Sequence, residues 1–168
     1  MKLFRASVLF LVTVAAVFGC TTPPKPYQSK LDPLALQQMQ TQDFETSKKI
    51  LFASVISVFQ DTGFVIEAAD LETGVITSKS ATVTNQSYGI GYIYSVAVRA
   101  TAFVEETSLN HAKARLNYLE SRIQSTVYGA GSPNDIPNED PAYYEKIFNK
   151  IREAVFLREA YKATPAAK

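Results

Sequence analysis

The chain has 168 residues, 46% of them hydrophobic, and 17 Lys and Arg stand against 16 Asp and Glu for a formal charge of +1. That length holds one core of domain size, and the balanced charge offers no basic block to engage a phosphate backbone, which sets nucleic-acid binding aside. One cysteine and one histidine exclude an intramolecular disulfide and a zinc set of the common Cys and His type.

Lys2 and Arg5 form a short positive region ahead of the apolar run Ser7 to Phe18. Twelve helical residues at ~1.5 Å rise cover about 18 Å, too little for a hydrocarbon core of ~30 Å. A short apolar run behind positive charge, ending in small residues, reads as a secretory signal peptide over residues 1–19. Gly19 followed by Cys20 resembles the lipobox of bacterial lipoproteins, with Val17 and Phe18 where that family usually has Leu and a small residue. The resemblance implies cleavage between Gly19 and Cys20, diacylation of the Cys20 thiol, palmitate-like chains included, and acylation of the new amino group. Two or more acyl chains, at ~0.8 kcal/mol per buried methylene, make a stable membrane anchor. Thr21, a residue other than Asp after the cysteine, implies sorting to the outer membrane, facing the periplasm. The chain from Cys20 onward would carry 15 basic and 16 acidic residues, a charge of −1.

Residues 20–33 form a Pro-rich linker with four prolines between Thr21 and Pro33. At ~3.1 Å per residue it could hold a domain up to about 40 Å from the membrane. Residues 34–162 are expected to form a single domain, and 163–168 a flexible tail. Leu34 to Thr41 partly alternates and is expected as a first strand. Ile50, Leu51, Val55, Val58 and Phe59 recur at helical spacing, so a helix is expected from about Thr46 to Thr62, capped by Asp43 or Thr46 and ended by Gly63. Phe64 to Ala68 and Val75 to Lys79 flank the turn Asp70 to Gly74, the clearest hairpin in the chain. Thr82 to Gly91 reads as a polar loop.

Tyr92 to Glu105 is expected as a long strand, its even positions Tyr92, Tyr94, Val96, Val98, Ala100, Ala102 and Val104 facing a core. Ala112 to Tyr128 returns, with Ala112, Ala114, Leu116 and Tyr118 on one face. Beyond Tyr118 the apolar positions switch parity to Leu119, Ile123 and Val127, which predicts a bulge near Tyr118. Gly129 to Glu139 reads as a loop. Asp140 and Pro141 begin a helix, by side-chain capping and a proline that needs no N–H. Tyr144, Ile147, Phe148, Ile151 and Val155 make its apolar stripe, and it is expected to end near Tyr161.

Five strands at ~4.8 Å spacing are about 24 Å wide, and seventeen helical residues are about 26 Å long. Each helix can cross such a sheet. The expected fold class is α+β: a two-layer, helix-grip-like domain with an antiparallel sheet of about five strands packed against two helices. The stretches QMQTQDF, SVFQDTGFVIEAADLETGVITSKSA and DPAYYEKIFNKIREAVFL resemble envelope lipoproteins of the BamC-like, helix-grip type. BamC itself is an accessory lipoprotein of the outer-membrane β-barrel assembly machinery. The resemblance implies a fold and a compartment.

Residues that could carry chemistry are sparse. His111 sits in an expected turn with no second ligand near it. Asp61, Glu67, Asp70 and Glu72 gather about the first hairpin, where carboxylates ordinarily cap and hydrate turns; acid–base work would need one raised in pKa by burial. Gly89-Ile90-Gly91 lacks the helix start and the lysine of a phosphate loop. No catalytic residue, metal or cofactor is expected, and the reading is non-enzymatic. Tyr88, Tyr92, Tyr94, Tyr118 and Tyr128 enrich the β region, because Tyr buries much area at low entropy cost. With the loops Ala81 to Ile90 and Gly129 to Asn138, they are the candidate surface for a partner or ligand. The leading expectation is a protein-binding or assembly role beside an envelope protein partner. The alternative is a binding module for a lipid or other apolar small molecule in a sheet–helix cavity.

Overall fold

The computed structural model describes residue 27 and residues 29–87, 92–126 and 129–163. The signal segment, Gly19 and Cys20, and also Tyr88 and Tyr128, lie outside the described residues. In chain order the elements are α1 (Pro33–Met39), β1 (Thr41–Phe44), α2 (Lys48–Asp61), β2 (Phe64–Asp70), β3 (Val75–Ser80), β4 (Val83–Ser87), β5 (Tyr92–Ser108), β6 (His111–Thr126), β7 (Gly129–Ala130), β8 (Asn134–Pro137) and α3 (Pro141–Ala163).

Alternation makes the sheet. The even residues of β5 and β6 face the helices: Ala100, Ala102, Val104, Ala112, Ala114, Leu116 and Tyr118 are all buried. Two sheet layers or helix layers must cover such a face, and here α2 and α3 do so with Leu51, Val55, Phe59, Ile147, Phe148 and Ile151. Phe44 reaches into the same core from β1 and lies 6.4 Å from the Phe148 ring. The fold is therefore the two-layer α+β arrangement, helix-grip-like, of an antiparallel sheet against helices.

Among the described residues the sheet has eight strands, with β1–β6–β5–β3–β2 as its continuous path. Those five are joined by three short strands in segments expected to be loops: β4 pairs with β5, and β7 and β8 pair with β6. β3 and β4 run in succession along one edge of β5, pairing Lys79 with Arg99 and Val83 with Val96. Where the chain steps between them, Ser80 Oγ accepts from the Val98 N–H at 2.9 Å and carries the ladder across the gap. On the other side, β1, β8 and β7 line β6 in turn, pairing Thr41 with Arg115, Pro137 with Leu119 and Gly129 with Thr126.

The expected first strand, Leu34 to Thr41, is instead the helix α1 with the short strand β1 behind it. Asp32 and Pro33 cause the difference. The Asp32 carboxylate accepts from the Leu34 N–H at 3.3 Å, and Pro33 occupies the first turn. The same pair of residues starts α3, where Asp140 Oδ1 accepts from the Ala142 N–H at 3.0 Å. Ser47, without a side-chain cap bond, stands at the N-cap of α2. Thr46, an expected cap, is buried and donates to Glu159 Oε1 at 2.6 Å instead, tying the start of α2 to α3.

The bulge expected near Tyr118 is absent. β5 and β6 stay in register from Tyr92–Thr126 to Glu106–Ala112, and the pairing shifts only between Glu106 and Ser108. Leu119 and Ile123 lie on the outer face because β6 runs past the helices; there the inner face no longer needs to be apolar.

Gly74 lies at a close approach. Its φ is +78°, its carbonyl accepts from the Val104 N–H at 2.8 Å, and a Cβ added there would sit 1.9 Å from the Val104 carbonyl oxygen. Gly74→Ala is expected to destabilise the domain by at least about 2 kcal/mol in urea denaturation, from the clash and the left-handed backbone together. Phe148→Ala should cost roughly 3–5 kcal/mol by the same measurement, since it empties a buried aromatic site between two layers; a cost under about 1 kcal/mol would contradict the packing described.

Candidate functional site

Burial along the inner face of β5 falls away in one direction. Ala100, Ala102 and Val104 are buried, Val96 and Val98 are half-buried, and Tyr94 is 42% exposed. The helices thus cover one part of the hairpin and leave the rest as an arm built from β4, the first residues of β5 and the last of β6. Arm side chains are short, polar or β-branched: Val83 is 58% exposed, and Thr84 and Ser95 hydroxyls meet at 3.3 Å across strands. Among the described residues, its one ion pair joins Arg122 to Glu120.

Where the cover ends, a cavity of about 670 Å³ opens on the inner side of the sheet. Val98, Tyr118 and Glu120 line it from β5 and β6, Ile136 to Asp140 from β8 and the turn after it, and Tyr143 from α3. Tyr27, Lys30 and Leu31 close it from the N-terminal side. That strap is fastened by the Lys30 N–H, which donates to Glu139 Oε2 at 3.2 Å. The Ser29 hydroxyl and the Lys30 N–H draw the Glu139 carboxyl below the usual carboxylate range, so it is ionised at neutral pH. Glu139 Oε1 has no hydrogen-bond partner among the described residues. Asp140, by contrast, is committed to capping α3.

Tyr118 forms the floor. Its ring meets those of Phe59, Phe64, Tyr143 and Tyr144 edge to face, with centroids 5.0–6.1 Å apart. It has no exposed surface, and its hydroxyl also finds no partner among the described residues. Burial first, then the neighbouring phenols of Tyr143 and Tyr144, push its pKa far up, so it remains a neutral phenol. Neighbouring Tyr144 is satisfied: its hydroxyl donates to the Asn138 carbonyl at 3.2 Å and accepts from Gln40 Nε2 at 3.4 Å. Burial raises the Tyr143 pKa as well.

The expected tyrosine surface is therefore divided. Tyr94, expected on the core-facing side of β5, is instead on the exposed arm, because the strand has run past the helices there; Tyr118 is buried in the cavity floor rather than on a surface, Tyr92 opens β5, and Tyr88 and Tyr128 fall outside the described residues. Two residues that shape the cavity, Tyr143 and Glu139, were not among the expected site residues. Tyr143 precedes Tyr144 in α3, and helical spacing assigned only the second of the pair to the core stripe. Glu139 lay in a segment read as loop, and nothing local marks the strap that folds onto it.

The hairpin carboxylates are a turn device. Asp70 accepts from the Glu72 N–H at 2.9 Å and from the Thr73 hydroxyl at 2.8 Å. The Thr73 hydroxyl, followed by the Glu72 N–H, lowers the Asp70 pKa, the opposite of what a general acid needs. His111 begins β6 and is exposed. Among the described residues no group of three or more His, Cys, Asp and Glu side chains could hold a metal, and no helix is long and apolar enough to cross a membrane.

No protein-family model matches the chain, and no curated protein matches it. Among solved structures it is similar to a TBP-like protein from Parabacteroides distasonis, at 13% identity over 68% of this chain and 90% of that one, with a TM-score of 0.33. The chemistry of the site rests on this chain's own residues.

Tyr118→Phe removes only the unpartnered hydroxyl and keeps the four ring contacts. Because a buried polar group without a partner costs ~1–3 kcal/mol, the variant is expected to be more stable than the parent by about that amount in thermal or urea unfolding. A loss of stability would mean that the hydroxyl is bonded in solution.

Proposed function

We propose that the protein is a lipid-anchored protein of the outer membrane, held through Cys20, whose task is to bind another envelope protein without catalysing a reaction. The observation that carries this reading is the arm: strands long enough to leave the helical cover, with both faces open and few charges. Strands that run beyond their own core gain nothing for the domain that makes them and are suited to contact with another chain. β4 forms the open edge of the arm, and Val83 to Ser87 contains no charge and no proline, the usual protections of an edge strand. An extended segment of a partner can add to such an edge through main-chain hydrogen bonds. The resemblance to BamC-like lipoproteins supports the compartment and the accessory character.

A second reading, a module that binds a small molecule, is favoured by one specific observation: the cavity with Tyr118 in its floor.

The arm can be tested in intact cells with a photo-crosslinking residue at Thr84, with one at Glu145 on the exposed side of α3 as the control. A discrete protein adduct is expected from position 84, absent from position 145 and lost when Cys20→Ser removes the anchor. No adduct at 84, or the same adduct at both positions, would remove the support for a partner at the arm.

A further inference from the structure

We infer that the outer face of the sheet, the side away from α2 and α3, docks an acidic and apolar segment of a partner protein. This surface is separate from the arm edge, and the inference names the chemistry of what covers it.

Two transverse rows of side chains carry the argument. Strand register sets Val65, Lys79, Arg99, Leu119 and Pro137 side by side across β2, β3, β5, β6 and β8. It sets Asp70, Val75, Phe103, Arg115 and Thr41 in a second row. The rows stand four residues apart along β5, about 14 Å at ~3.4 Å per residue. Lys79 and Arg99 are thus direct cross-strand neighbours, both exposed. Like charges in that position repel and cost stability. Among the described residues neither has an ion pair to offset the cost.

Arg115 adds a third cation. It donates to Gln40 Oε1 at 3.3 Å, which fixes the guanidinium, and its other N–H groups meet no carboxylate among the described residues. The acidic residues nearby do not neutralise these three. Asp70 is held by its own turn, and Glu105 pairs with Lys113. Glu67 stands in the bulge of β2 and forms no ion pair among the described residues.

Beside the cations the face is apolar. Val65 is 68% exposed and Phe103 43%. A groove of about 470 Å³ is lined there by Val75, Phe103, Leu119 and Arg115 from the sheet, Leu36 from α1 and Pro137 from β8. Exposed apolar side chains bounded by unpaired cations complement a segment that carries carboxylates beside apolar side chains. A polyanion without apolar groups would leave Val65 and Phe103 in water. A flat bilayer surface cannot follow a groove edged by a helix, which favours a peptide chain as the occupant.

A photo-crosslinking residue at Thr101, on this face between the two rows, tests the inference in intact cells when the attached segment is sequenced by mass spectrometry. An adduct with a protein segment bearing both acidic and apolar residues is expected, and none from Glu145. Lys79→Glu turns the repelling pair into an attracting one. It is expected to lower the adduct yield at least about five-fold, while the purified full chain keeps an equal or higher midpoint in urea. Phe103→Ser should lower the yield by a similar factor with an unchanged circular dichroism spectrum. No adduct at 101, an adduct that is a lipid or a glycan, or a protein segment without carboxylates would overturn the inference. So would a yield that Lys79→Glu leaves unchanged, or a lower midpoint, which would make Lys79 a support of the fold. An adduct from Thr84 alone overturns this inference and leaves the arm reading in place. An adduct from Thr101 alone upholds it and removes the support for the arm.

Discussion

A mismatch of length governs this molecule. The 17 residues of β5 extend about 56 Å, whereas the 14 residues of α2 reach about 21 Å and the 23 of α3 about 35 Å. A helix layer can protect a sheet face only over its own length. Where α2 and α3 lie on the sheet, the inner face is a packed core of small and branched residues. Alanines at 100, 102, 112 and 114 keep that floor low, so the helices approach closely. Beyond the helices the same two strands continue with their hydrogen-bond ladder intact, and the side chains on both faces meet solvent.

The seam between these two regimes is where the unusual chemistry collects. Tyr118 is the last fully buried residue on the inner face of β6, with its ring in the core and its hydroxyl at the edge of the cover. A Phe there would fill the same volume without the desolvation cost of a phenol. The strap fastened to Glu139 and the turn leading into α3 close over the same point. The cavity thus arises at the border of the two layers.

Local signals in the sequence were legible wherever one neighbour decided the structure. The hairpin of β2 and β3, the long strand β5 and the helix α3 follow from alternation, from Gly74 at a turn and from the Asp140-Pro141 start. Asp32-Pro33 carries the same helix-start signal, but the partial alternation of Leu34 to Thr41 hid it, since seven residues are too few for a helical period to declare itself. β4 and β8 were read as loops because their strand character comes from the free edges of β5 and β6, which only pairing reveals. The parity change after Tyr118 was taken as a bulge. It reports instead the end of the helical cover, a distance set by elements far away in the chain.

The sequence by itself determined the class of fold, much of the core and the expectation of an anchor at Cys20, because each depends on spacing or on neighbours within a few residues. Tertiary structure alone decided which tyrosines are buried, where the strap lands, and that Glu139 and Tyr118 line one cavity. Those two residues are joined by no periodicity. They meet because β8 pairs with β6 at Leu119 to Arg122, which brings the turn after it over the end of the core. Such a meeting is fixed by the geometry of strand pairing across long separations, and local patterns carry no record of it.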